Sequence, residues 1–82
     1  MITKFQSKVY KIVKKIRRGK TMSYEEIARK LKTSPRAVGQ ALKKNYDKKI
    51  PWHRVIMSSG KLGGYNRGIR KKLSLLKKEK AI

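Results

Sequence analysis

Residues 23–42 read SYEEIARKLKTSPRAVGQAL, and this stretch decides the fold. Ser23 with Glu26 has the pattern of a capping box, in which the serine hydroxyl accepts from one orphan N–H and the glutamate reaches back to another. Ile27, Ala28 and Leu31 then supply a short apolar stripe at helical spacing. Lys32 and Thr33 make a turn. Ser34 and Pro35 open the next helix, the serine as cap and the proline at the first helical position, where its missing N–H costs nothing. Val38, Ala41 and Leu42 give this helix a buried face, and it should end near Asn45. Two short helices about a tight turn, the second carrying Arg36, form a helix-turn-helix pattern.

Upstream, Phe5, Val9, Ile12, Val13 and Ile16 share one face of a predicted first helix of about four turns, with lysines and arginines opposite. Gly19 is the expected stop, just beyond two cations that suit a helix C-terminus. Downstream, residues 46–50 form a basic loop, and Pro51 keeps Ile50 out of helix. The runs 55–57 and 61–62 flank Ser58-Ser59-Gly60 and predict a small hairpin or wing. Ile69, Leu73, Leu75 and Leu76 mark a last, basic amphipathic helix. The expected fold is mainly α with a small β wing, a winged helix-turn-helix in a single domain spanning residues 1–82, with its core between about 5 and 79.

The chain has 82 residues, 25 Lys and Arg against 4 Asp and Glu, and a formal charge of +21. Such a chain repels itself, so a polyanionic partner is implied, nucleic acid before an anionic membrane or an acidic protein. Thermostable surfaces also carry many lysines, but they balance them with Glu, which this chain does not. There is no cysteine, hence no thiol nucleophile and no thiolate ligand, and His53 is the sole histidine, which excludes a zinc site by ligand count. Glu25 and Glu26 are adjacent and point different ways on a helix, which leaves little for a two-carboxylate mechanism. The glycine-rich run 63–68 lacks the Lys-Ser/Thr ending of a phosphate-binding loop. No cofactor, metal, membrane span or signal peptide is expected.

Residues 50–55 read IPWHRV. This segment resembles the active-site segment of the O6-alkylguanine-DNA alkyltransferases, Ile-Pro-Cys-His-Arg-Val, with Trp52 where that family places its reactive cysteine. The likeness runs from about Phe5 to Glu79. It takes in Phe5-Gln6, Ser23-Tyr24, Arg36-Ala37-Val38-Gly39, Asn45, Ser58-Ser59-Gly60, Gly64-Tyr65 with Gly68, and Leu75-Leu76 with Glu79. It corresponds to the family's C-terminal, DNA-binding domain, without the N-terminal α/β domain that many members carry. Indole cannot accept an alkyl group by displacement. The Pro-Trp-His-Arg-Val pattern is similar to the alkyltransferase-like proteins, which bind alkylated guanine and do not repair it.

The resemblance implies the following roles. The helix after Ser34 enters the minor groove with Ser34 among the DNA-binding residues, and Arg36 fills the stack vacated by a flipped nucleotide, since O6 of guanine cannot be inspected inside a duplex. A flat guanidinium can stack on bases and answer phosphate charge together. Ala37 and Gly39 let the helix backbone approach the groove floor. Tyr24 presses on the phosphate of the flipped nucleotide, as well as packing at its helix start. Ser58 contacts phosphate or simply forms the wing turn. Tyr24, Pro51, Trp52, Val55, Tyr65 and Asn66 outline the alkylguanine pocket, Asn66 standing where many members have serine. Asn45, His53 and Glu79 match the relay that activates the cysteine; with no cysteine to serve, they become structural, and Arg54 joins them through its guanidinium fork. Trp52 either fills core or walls the pocket, where its indole would pack against an alkyl group.

The expectation is a non-enzymatic sensor of O6-alkylguanine in double-stranded DNA, a cytoplasmic, nucleoid-associated monomer that flags lesions to nucleotide excision repair proteins. The main rival is a generic basic winged-helix DNA or RNA binder, or an architectural protein, without lesion specificity. A third is a glycosylase-like enzyme, which would need Glu79 or a lysine poised in the pocket.

Overall fold

A computed structural model describes residues 3–45, 47, 49–65 and 68–82. Four helices and a two-stranded sheet follow in the order α1 (Lys4–Lys14), β1 (Met22–Ser23), α2 (Tyr24–Leu31), α3 (Pro35–Lys43), a 3₁₀ turn (Trp52–Arg54), β2 (Val55–Ile56) and α4 (Ile69–Lys78). The mainly helical architecture with a small β element is the one the sequence implies.

Local chemistry explains most of the boundaries. The α2 capping box is present in full, with Glu26 N–H donating to Ser23 Oγ at 3.0 Å and Ser23 N–H donating to Glu26 at 3.4 Å. Lys32 then turns left-handed at φ 55° and ends the helix. Ser34 Oγ accepts from Ala37 N–H at 3.2 Å, and Pro35 starts α3. α1 has a second capping box, Thr3 with Gln6, that sequence reading overlooked. It also stops sooner than expected. The helix closes at Lys14 after 11 residues, and Gly19, at φ +84°, lies in the turn beyond it.

α2 and α3 pack on each other and α1 lies against both. Val9, Val13, Ile27, Val38, Leu42 and Val55 are wholly buried at this junction, with Tyr10, Ile16, Ala28, Ala41 and Trp52 nearly so. Tyr10 satisfies its hydroxyl by donating to the Ala41 carbonyl at 2.6 Å, which ties α1 to α3.

The expected turn over residues 58–60 is present, but the strand pairing differs from the one expected. β2 pairs with β1, in parallel and in the register Met22 with Val55 and Ser23 with Ile56, and not with residues 61–62. Residues 57–61 instead form a tight turn, in which Met57 N–H donates to the Lys61 carbonyl at 2.8 Å and Gly60 N–H to the Met57 carbonyl at 2.9 Å. The 3₁₀ turn before β2 packs against α4, and Trp52 reaches from it to the Tyr24 hydroxyl, 3.0 Å from its indole nitrogen.

Candidate nucleic-acid interface

Three segments distant in sequence meet around a cavity of about 720 Å³, within the range of roughly 300–1,000 Å³ that holds small ligands. α3 presents Pro35, Arg36, Gly39 and Lys43 to it, residues that fall on one helix face. The start of α2 contributes Tyr24 and Glu25. Trp52, Met57, Gly63, Gly64 and Tyr65 close the remaining sides.

The aromatic wall is fixed by hydrogen bonds. Trp52, 4% exposed, donates its indole N–H to the Tyr24 hydroxyl at 3.0 Å. Tyr24 passes its own proton toward the Gly64 carbonyl at 3.4 Å. Tyr65 meets Trp52 edge to face, with ring centres 5.3 Å apart and planes at 61°, a favourable arrangement of the two quadrupoles. Burial pushes the Tyr24 phenol above its usual value, against a smaller opposite effect of the Trp52 hydrogen bond. Tyr24 therefore stays neutral around physiological pH. Gly63 fits this wall for two reasons: its φ is +72°, and a Cβ there would come within 3.0 Å of the Tyr24 ring.

Behind the wall, Lys72 on α4 is wholly buried. Its ammonium donates to the Leu62 carbonyl and, at 3.1 Å, to that of Gly64, and lies 5.6 Å from the centre of the Tyr24 ring. Desolvation pulls its pKa down to about 8.

On the other side of the 3₁₀ turn, Glu79 at the end of α4 gathers three donors. Arg54 grips it with Nε at 2.9 Å and Nη2 at 2.7 Å, and also donates Nη1 to the Ile16 carbonyl at 2.8 Å. His53 Nε2 lies 3.0 Å from the same carboxylate. The Arg54 fork holds the Glu79 carboxyl down to about 2, with His53 adding to it and burial opposing it. An ionised carboxylate can only accept, so His53 carries its proton on Nε2. The cluster staples the end of α1, the 3₁₀ turn and the end of α4. Asn45 works locally, exchanging bonds with the Asp47 backbone at 3.1 and 3.3 Å.

Of the residues singled out from sequence, Tyr24, Arg36, Gly39, Trp52 and Tyr65 converge on the cavity. Pro51 and Val55 do not: Pro51 is buried and absent from the cavity lining, and Val55 is wholly buried, sharing the core and pairing with β1. Ala37 faces a separate groove beside Phe5 and Gln6, and Ser34 is the α3 cap. Ser58 donates to Glu25 Oε1 at 2.6 Å. Asn66 lies outside the described residues. Pro35, Lys43 and Met57 were missed, although helical spacing from Arg36 and Gly39 would have found the first two. Lys72 is not singled out by the sequence reading either, yet it stands four residues before buried Leu76, on the same stripe. Among the described residues no three His, Asp or Glu side chains are grouped to hold a metal ion.

Residues 4–81 match the family model described as the DNA-binding domain of 6-O-methylguanine DNA methyltransferase. The methylated-DNA–protein-cysteine methyltransferase of Methanocaldococcus jannaschii is 50% identical over 80 residues, covering 96% of this chain and 47% of that protein. The Mycobacterium tuberculosis OGT solved with DNA superposes with a TM-score of 0.90 at 44% identity, over 99% of this chain and 51% of its own. S. pombe Atl1, solved with damaged DNA containing O6-carboxymethylguanine, superposes with a TM-score of 0.83 at 36% identity, over 96% of this chain and 79% of its own. The chain spans about half the length of the curated relatives it matches. On these matches and this fold, the chain belongs to the 6-O-methylguanine DNA methyltransferase family, in which it corresponds to the DNA-binding domain.

Proposed function

We propose that this domain senses O6-alkylguanine in duplex DNA without removing the alkyl group, and that the resulting complex marks the lesion for nucleotide excision repair. The observation that carries the reading is Trp52. It stands where the segment's resemblance calls for a nucleophilic cysteine, it walls the cavity, and the chain has no cysteine. Its indole N–H is committed to Tyr24, so the small part of the ring left uncovered at the cavity, within a 4% exposure, offers carbon surface to whatever enters. Burying an alkyl group against such surface is worth roughly 0.8 kcal/mol per methylene-sized unit, enough for a several-fold preference for alkylated over plain guanine.

Arg36 is exposed at the mouth of the same cavity, near the N-terminus of α3, with no acidic partner among the described residues. It is free to fill a vacated stack while the nucleotide enters beside it, the usual exchange when an enzyme or sensor extrudes a base. The net charge of +21 supplies the non-specific hold from which scanning starts. Support also comes from Atl1, which was captured on DNA carrying an O6-alkylated guanine. The same net charge favours a second reading, a general DNA-binding domain with no lesion preference.

Binding to one duplex with and without a single O6-methylguanine, at about 0.2 M salt to suppress non-specific attraction, decides between them. A sensor binds the lesion duplex more tightly and leaves the methyl group on the DNA, as mass spectrometry would register. Equal affinity would support the general binder. Loss of methyl from the DNA would end the non-enzymatic reading.

A further inference from the structure

Among the described residues Lys72 is the one charged side chain wholly removed from solvent, and its charge has no carboxylate to answer it. The four acids are engaged elsewhere: Glu79 with Arg54 and His53, Glu25 with Ser58, Glu26 with the α2 cap, and Asp47 with the Lys49 N–H. What compensates it instead is a pair of backbone carbonyls, Leu62 and Gly64, and the face of the Tyr24 ring. A leucine or methionine would fill the same space without the desolvation cost. The lysine therefore does something that packing alone does not require.

The backbone it grips is the loop that supplies Gly63, Gly64 and Tyr65 to the cavity. The Gly64 carbonyl accepts from both Lys72 and Tyr24, and the Tyr24 hydroxyl accepts from Trp52. A continuous chain of contacts thus runs from α4 through the loop and α2 to the 3₁₀ turn.

We propose that Lys72 is the positioning residue of the cavity, clamping the 62–64 loop and the Tyr24 ring so that the aromatic wall is set before DNA arrives. The proposal deepens the lesion-binding reading and rests on it. A wall set in advance spares the ordering cost at the moment of binding, so the clamp should act on lesion preference and leave general DNA affinity alone.

The test combines a variant with a pH titration of the 82-residue chain. Lys72→Met keeps the volume and removes the donors. It is expected to remove most of the several-fold preference for O6-methylguanine duplex, with little change in affinity for unmodified duplex and an unchanged salt slope, because a buried ammonium contacts no phosphate. In the unaltered protein, preference should fall as pH rises through about 8, while the variant's residual preference stays flat. The groups facing Lys72 do not titrate in that window: Tyr24 is raised above 10, and the loop offers carbonyls. Fold stability should move the other way. The Lys72 value lies below its ordinary 10.5, so the folded state binds fewer protons than the unfolded one, and folding gains as pH rises between about 8 and 10.5. Falling preference with rising stability is a signature that simple unfolding cannot produce.

A folded Lys72→Met protein with full lesion preference would overturn the proposal, as would a salt slope lowered by about 0.9, the mark of a direct phosphate contact. Should the variant fail to fold, the pH profile of the unaltered protein decides, a flat profile counting against the clamp. If the unaltered protein shows no lesion preference, the functional reading has failed separately. The emission of Trp52 in the DNA-free protein then judges the clamp: a shift on Lys72→Met supports it and an unchanged spectrum refutes it.

Discussion

Successive residues of one 3₁₀ turn serve two unlike neighbourhoods. Trp52 faces the cavity and joins Tyr24, Tyr65 and the loop held by Lys72. His53 and Arg54 face away and join Glu79. The first neighbourhood is aromatic, with a lone buried cation answered by dipoles. The second is a compact ionic knot around one carboxylate. In the resemblance on which the sequence reading drew, His53 and Glu79 match a relay that serves a cysteine. Here His53 and Glu79 form a staple with Arg54, while Trp52 lines the cavity on the other side of the same turn.

That contrast can be broken from either side. Glu79→Ala should have the largest effect, because it strands Arg54 and His53 without their anion. The cluster is part-buried, so breaking it should cost less than a fully buried pair, on the order of 2 kcal/mol, and denaturant titration would measure it. Lesion preference of the molecules that remain folded should be unchanged. Acid titration probes the same knot. Glu79 sits near 2 when folded against an ordinary 4.5, so its contribution is complete above 4.5 and drains as pH falls toward 2. With solvent screening of this part-exposed group, the amount at stake is on the order of 1–2 kcal/mol. Glu79→Gln should flatten that part of the stability profile.

Arg36→Ala should act on the opposite side. Stability should hold within about 0.5 kcal/mol, since the side chain is exposed, while the several-fold lesion preference is lost, on the order of 0.8 kcal/mol. A uniform weakening on both duplexes, with the salt slope reduced by about 0.9, would make Arg36 an ordinary phosphate contact. Ser58→Ala should do least. It removes an exposed bond to Glu25, and a stability change beyond about 0.5 kcal/mol would show that the turn matters more than its exposure suggests.

Elements set by neighbouring residues were legible in the sequence, and those set by distant ones were not. The Ser23–Glu26 box, the Ser34-Pro35 start and the apolar faces of α2 and α3 all follow from spacing within a few residues. The pairing of β2 with β1 crosses more than 30 residues with strands of two residues each, too short to carry a period, so the run 61–62 was the more natural partner. The resemblance gives Val55 a role through its backbone carbonyl, and only the tertiary fold shows that its side chain belongs to the core. Lys72 was hidden by its own chemistry. A lysine on a basic helix reads as solvated, and only the tertiary fold shows that its stem and head lie beneath Tyr24.

Trp52 is the only tryptophan in the chain, so its emission reports the cavity wall directly. The most direct test of the account is therefore to saturate the protein with O6-methylguanine duplex and with the unmodified duplex, and to compare Trp52 fluorescence in the two complexes. A flipped alkylguanine seated beside the indole predicts strong quenching with the lesion duplex, little with the plain one, and loss of the difference in Arg36→Ala. Identical emission in both saturated complexes would contradict the account.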